Sequence, residues 1–275
     1  MRWAPLAAAS TPPSKRFSSS AVACEQRVIL YGGTQGGAQL EEVWVLEVLP
    51  GAARSVWIRP ALGGVAPPGR SSHSACLVRN GRKHHSSVLM FGGTGLDDHG
   101  STLALSDVAI LELYAISAVD DSDGAIFRAT TLAEVKEGTE EVTFKRREIS
   151  EPLGRPLALR WTHRASAPAG AEVRWPKARQ AHAACTAFDD GVVVYGGTHG
   201  FELLADLWVC RLSEGGASVE WESPVCSGSP PPESAGHSLS AVGVRCVLAG
   251  GSILDTAFVL GDWGGRCSSS AGSTR

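Results

Sequence analysis

Histidine, cysteine and arginine are the residues of this chain whose types could do chemistry, and their spacing decides which chemistry is open. There are 8 His and 7 Cys in 275 residues. A metal centre needs ligands at close, fixed spacing. The cysteines, at positions 24, 76, 185, 210, 226, 246 and 267, contain no C-x-x-C pair and read as buried, reduced thiols. His73, His182 and His237 each follow a similar small-residue run (Arg70-Ser71-Ser72, Arg179-Gln180-Ala181, Ser234-Ala235-Gly236), which marks them as core positions. His84-His85, beside Arg82 and Lys83, read as a solvated loop. Asp97-Asp98-His99 is a weak metal hint and His199 stands without a ligand partner of fixed spacing, so no metal is expected. The Gly32-to-Gly37 stretch has neither a phosphate-binding Lys nor a following helix, and no G-x-S-x-G elbow occurs. No catalytic residue and no cofactor are expected. Arg16, Arg70 and Arg179 remain, and a guanidinium fork suits carboxylates.

The elements that must position these residues repeat. Four apolar runs end in a glycine pair: Val28–Gly33, Val88–Gly93, Val192–Gly197 and Cys246–Gly251. Short, rich in β-branched residues and closed by Gly, each predicts a buried strand and a sharp turn. The Arg/His runs precede these strands, and the first copy, Arg16-Phe17-Ser18-Ser19, has lost its His. A third strand follows each glycine pair, at Glu42–Leu46, Asp107–Leu111, Asp206–Cys210 and Thr256–Leu260. A fourth is marked by Trp57, Trp161 and Trp221, with Trp3 in the same phase. Trp57 follows Trp44 by 13 positions, as Trp221 follows Trp208.

These landmarks resemble the kelch repeat over nearly the whole chain, outside 114–158 and the last dozen residues. The resemblance implies an all-β fold, a β-propeller with four four-stranded antiparallel blades. By repeat phase the N-terminal strand either completes the fourth blade or leaves an open arc whose edges favour association. With the strands of each repeat lettered a to d in chain order, the end of a kelch binding module that carries the strand-a arginines and post-glycine loops receives a partner peptide. The resemblance therefore implies a partner-binding rim of Arg16, Arg70, Arg179, His99 and His199, suited to an acidic peptide. The residues themselves leave open that these arginines pair with neighbouring loop carboxylates. The expected function is a non-enzymatic protein-interaction scaffold. Two alternatives stand beside it, an iron- or copper-dependent kelch-type enzyme or specifier protein and a structural subunit of a larger assembly. The tyrosines do not follow the copper-enzyme pattern, since Tyr31 and Tyr195 share one repeat position, and the E-x-x-x-D-x-x-x-H pattern of specifier proteins is missing.

Composition bounds the partners. The net charge is -3, with 25 basic against 28 acidic residues, which argues against nucleic acid or an anionic membrane. No apolar run is long enough to span a bilayer, and the cysteine usage suggests a reducing cytoplasm. The expected organisation is a propeller over 1–263 and a flexible Ser/Gly tail at 264–275. An insertion at 114–158 interrupts blade 2. In it, Ala115–Val119 and Ala125–Thr131 predict a hairpin and Glu141–Ile149 a strand, leaning toward the basic loop at Arg79–His85.

Overall fold

A computed structural model describes residues 7–48, 54–79, 85–115, 132–135, 142–145, 157–167, 174–187, 191–213, 218–243, 245–252 and 257–260. Blade 1 is built from β1 (Ala7–Ala8), β2 (Ser20–Cys24), β3 (Arg27–Tyr31), β6 (Val43–Val48) and β7 (Arg54–Ile58), with a small hairpin of β4 (Thr34–Gln35) and β5 (Ala38–Gln39) between β3 and β6. Blade 2 takes β8 (Leu62–Gly63), β9 (Ser74–Arg79), β10 (His85–Phe91), β13 (Val108–Ala115) and β16 (Leu157–Ala165), with β11 (Thr94–Leu96) and β12 (Thr102–Ala104) as its hairpin. A separate hairpin of β14 (Leu132–Val135) and β15 (Val142–Lys145) lies within the insertion. Blade 3 holds β17 (Ala183–Ala187), β18 (Gly191–Tyr195), β21 (Leu207–Leu212) and β22 (Val219–Glu222), with hairpin β19 (Thr198–His199) and β20 (Glu202–Leu203). Blade 4 has three strands among the described residues, β23 (Ser238–Val242), β24 (Arg245–Ala249) and β25 (Phe258–Leu260). The four sheets form the blades of a β-propeller.

Each blade is an antiparallel meander, and a short strand from the preceding linker adds in parallel to the outer edge of blades 1 and 2. β1 pairs with β7, and β8 with β16. Trp3, expected in an outer strand, lies outside the described residues, as do Ala125–Thr131 and most of Ala115–Val119, so the hairpin expected there is not described. The β14–β15 hairpin sits later in the insertion, with β15 inside the expected Glu141–Ile149 segment. The basic loop also falls largely outside, and no helix among the described residues is long and apolar enough to cross a membrane.

Burial follows from sandwiching. Side chains alternate across a strand, so a sheet covered on both faces needs apolar residues at every position. β18 is buried throughout, as is Val88–Phe91 in β10. Three apolar clusters fill the three junctions: Ile29, Tyr31 and Val45 meet Val88, Met90 and Leu111 between blades 1 and 2. Leu89, Phe91 and Ile110 meet Val192 and Val194 between blades 2 and 3. Val193, Tyr195 and Val209 meet Leu239, Cys246 and Leu248 between blades 3 and 4. Cys76, Cys210 and Cys246 are buried here as expected, Cys24 and Cys185 are half-buried, and Cys226 is exposed.

The blades are also laced by backbone hydrogen bonds near the axis. Ser18, Ser72, Ala181 and Gly236 occupy equivalent positions, all with positive φ (55, 53, 52 and 69°). The amide of Ser72 donates to Ser18 O, that of Ala181 to Ser72 O, and that of Gly236 to Ala181 O, at 2.8–3.0 Å. Among the described residues no hydrogen bond continues this series from blade 4 back to blade 1. The segment near Trp3 that would complete the fourth blade lies outside the described residues.

Candidate interaction surface

The end of the propeller where strand a begins is framed by a repeated ion-pair clamp. Arg70 reaches Asp107 with two parallel bonds, Nη1 to Oδ1 at 2.9 Å and Nη2 to Oδ2 at 2.8 Å. It also donates to Gly92 O and, through Nε, to Pro68 O. Arg179 repeats the pattern on Asp206 (2.7 Å for both bonds), Gly196 O and Lys177 O. Arg16 does so in looser form, with one bond to Glu42 at 2.8 Å and others to Gly32 O and Ser14. Each clamp ties the entry of strand a to the ends of strands b and c in its own blade.

The arginines expected at a partner-binding rim are buried in these clamps. Arg70 and Arg179 are 0 % exposed, and the Arg16 side chain is nearly as buried. A carboxylate and two carbonyls take four of the five N–H donors of Arg70 and of Arg179, which leaves neither fork open to a peptide. The alternative, pairing with neighbouring carboxylates, is what the fold adopts. Its sequence signal was the acid that opens the third strand of the first three repeats: Glu42, Asp107 and Asp206. Two of these acids also accept from a strand-c indole, Glu42 from Trp44 at 3.1 Å and Asp206 from Trp208 at 2.6 Å. Hydrogen bonds from Arg16 and Trp44 hold the Glu42 carboxyl below its usual range. Burial alone would raise that of Asp206, but the bonds from Arg179 and Trp208 and the Arg179 charge outweigh it and lower it.

Beneath the clamps lies the histidine row. His73 Nε2 is 2.7 Å from Ser20 Oγ, and His182 Nε2 is 2.8 Å from Ser74 Oγ. His237 Nε2 donates to Tyr195 O at 3.1 Å. Each ring meets the aromatic of the preceding blade edge-on, at centroid distances of 5.5 Å for Tyr31–His73, 5.3 Å for Phe91–His182 and 5.7 Å for Tyr195–His237. Burial drives the His73 and His182 pKa down to about 3, with the nearby arginine charge adding to it, and it lowers that of His237. These are neutral core imidazoles. The tyrosines are equally structural: Tyr31 and Tyr195 donate to the carbonyls of Pro67 and Pro231, and burial pushes Tyr195 up to about 12. No group of three or more His, Cys, Asp or Glu side chains that could hold a metal occurs among the described residues.

What the clamps support is the set of b–c hairpins, and these carry the exposed chemistry. In blade 2, Asp97 Oδ1 accepts from the amides of His99 and Ser101, capping the tip and leaving His99 exposed. In blade 3, His199 Nδ1 donates to Ala178 O at 2.8 Å, and Lys177 bridges to Glu202 at 3.0 Å. His99 and His199 share this end, but no hydrogen bond or ring contact joins them. Sequence reading missed the apolar members: Phe201 at the blade 3 tip, Leu96 and Leu103 on the blade 2 hairpin, and Phe17 at the blade 1 entry are all exposed. Only their exposure distinguishes them, and a strand pattern does not encode which loop side chains face water.

Comparison with known proteins adds the lineage. Residues 1–117 match the KLHDC2/KLHL20/DRC7 kelch-repeats domain. An F-box/kelch-repeat protein of Arabidopsis thaliana is 25% identical over 260 residues, 91% of this chain and 43% of that protein. A Rho GTPase-activating protein of Dictyostelium discoideum is 35% identical over 78 residues, covering 28% of this chain and 5% of its own length. Host cell factor 1 of Rattus norvegicus is 30% identical over 94 residues, or 32% of this chain and 4% of its own length. The chain thus spans less than half the length of these relatives. The chain is thus similar to kelch-repeat proteins, and its own blades repeat the clamps, glycine pairs and indoles described above on a β-propeller fold.

Proposed function

We propose that this chain is a non-enzymatic interaction module that binds a partner protein or peptide through its b–c hairpin end. The observation carrying this reading is the exposure of Phe17 at the blade 1 entry and of Leu96, Leu103 and Phe201 on hairpins whose bases are held by buried Arg–carboxylate clamps. Exposed aromatic and aliphatic side chains on a rigid frame bind without a large ordering cost. His99, His199, Lys177 and Glu202 supply polar contacts around them. The arginines act indirectly, by holding the hairpins, so an acidic partner is no longer specifically favoured. Loops vary without disturbing a propeller core, which suits such a platform to selective partners.

Affinity capture with mass spectrometry tests this. Baits carrying Phe201→Asp or Leu96→Asp are compared with the native chain and with Arg211→Ala, a change at the opposite end. Loss of the same partners with both hairpin variants, and their retention with Arg211→Ala, is the expected outcome. Equal capture by all baits would reject this surface.

A further inference from the structure

We propose that Cys185 and Cys246 are an oxidation site, closing to a reversible disulfide across the junction of blades 3 and 4 when a hydroperoxide reaches them. Cys185 sits mid-strand in β17, the first strand of blade 3, and Cys246 in β24, the second strand of blade 4. Their Sγ atoms are in contact, 3.6 Å apart. A disulfide closes that separation to about 2.05 Å. The two residues lie 61 positions apart and in different sheets, so the packing of one blade on the next brings them together. Cys246 belongs to the apolar cluster of this junction, and Cys185 packs against it.

The other junctions show that packing does not demand two sulfurs here. Cys185 follows His182 by three positions, as Cys76 follows His73. Cys246 precedes its glycine pair by four positions, as Val192 and Val88 precede theirs. Cys76 and Val192 share the cluster between blades 2 and 3, and Val22 and Val88 share that between blades 1 and 2. A thiol with a valine, or two valines, therefore fill this place elsewhere in the propeller. Among the three described junctions, the last alone carries a thiol on both sides.

Sharing a proton makes the pair more reactive than its buried neighbours. Burial pushes the Cys76 thiol up to about 12 and raises that of Cys210, which keeps both protonated and inert. At the pair, the hydrogen bond between the sulfurs lowers the Cys246 pKa against its burial and raises that of Cys185. The first proton therefore leaves more readily than from a lone buried thiol, and the second is held between the two sulfurs. Cys185 is the half-buried member, where a small oxidant arrives. As thiolate it attacks one peroxide oxygen, the O–O bond breaks, and the leaving alkoxide or hydroxide takes the shared proton. Cys185 is then a sulfenic acid and Cys246 a thiolate. Attack of Cys246 on the Cys185 sulfur breaks the S–O bond, forms the S–S bond and releases hydroxide, which regains from solvent the proton first lost. Two thiols and one hydroperoxide thus give one disulfide, one water and one alcohol, or a second water from hydrogen peroxide itself.

To test this, hydrogen peroxide is added to the folded chain and the remaining thiols are alkylated in denaturant. Digestion with trypsin and chymotrypsin separates Cys185 from Cys210, because Tyr195 and Trp208 lie between them. The expected product is a Cys185–Cys246 peptide pair, about 2 Da lighter than its two halves and released by dithiothreitol. Oxidation should also raise the melting temperature, since the bond closes a loop of 61 positions. Cys246→Val, which installs the residue that blades 2 and 3 use, should fold and lose both the linked peptide and the shift. Alkylated Cys185 and Cys246 after a treatment that oxidises the exposed Cys226 overturns the proposal. So does a sulfinic acid on Cys185 without the link, or either cysteine joined to a different partner. If Cys246→Val fails to fold, the peptide map of the native chain still decides.

Discussion

At the scale of single residues, the buried Arg70–Asp107 pair is where stability is most exposed to substitution. Removing one member of a buried pair strands the other charge, a loss of about 3–5 kcal/mol. Arg70→Met should therefore lower the urea midpoint sharply, and Arg70→Lys should recover little, since an ammonium cannot span both Asp107 oxygens. The histidine row sets the pH response. His73 and His182 titrate near 3 when folded, against about 6.5 in an unfolded chain, so the unfolded state binds more protons across that interval. Their contribution is fully present above pH 6.5 and is lost as the pH falls through 6.5 toward 3. The lowered carboxyls of Glu42 and Asp206 add a further loss as the pH falls below their ordinary range. Denaturant midpoints should accordingly hold steady from pH 8 to 7 and decline below about 6.5. His182→Gln should flatten the upper part of that decline.

At the scale of elements, the glycine pairs show how one position changes meaning with its surroundings. Gly92→Ala places a methyl group 2.7 Å from the Arg179 carbonyl and imposes a left-handed backbone on alanine. It should push the blade 2–blade 3 junction apart, and thermal melts should report a loss well beyond the backbone cost. Gly250→Ala has the same φ preference but open space, so its cost should be about 1 kcal/mol. The tyrosines permit a milder comparison. Blade 2 uses Phe91 where blades 1 and 3 use Tyr31 and Tyr195, so Tyr31→Phe removes only a hydrogen bond to Pro67, about 0.5–1.5 kcal/mol.

At the scale of the whole molecule, the frame and the surface it carries should respond to different substitutions. The hairpin surface carrying Phe201 and Leu96 lies at one end of the blades, away from the apolar junctions. Phe201→Asp should therefore abolish partner capture with the melting temperature unchanged, whereas Gly92→Ala should lower the melting temperature.

The blades were legible in the chain because their signals are local and repeated. Apolar runs closed by Gly-Gly, the spacing of Trp44 to Trp57 and of Trp208 to Trp221, and the recurrent His73, His182 and His237 follow from strand alternation and turn sterics, which neighbouring residues dictate. The fate of a polar side chain is not local. Arg70 and Asp107 lie 37 positions apart, and only the folding of strand c beside strand a turns an apparent rim of free cations into a buried clamp. Open space at Gly250 is equally invisible in a repeat that gives every glycine pair the same spelling. Local sterics wrote the strands, and long-range packing assigned each charge, ring and glycine its neighbour.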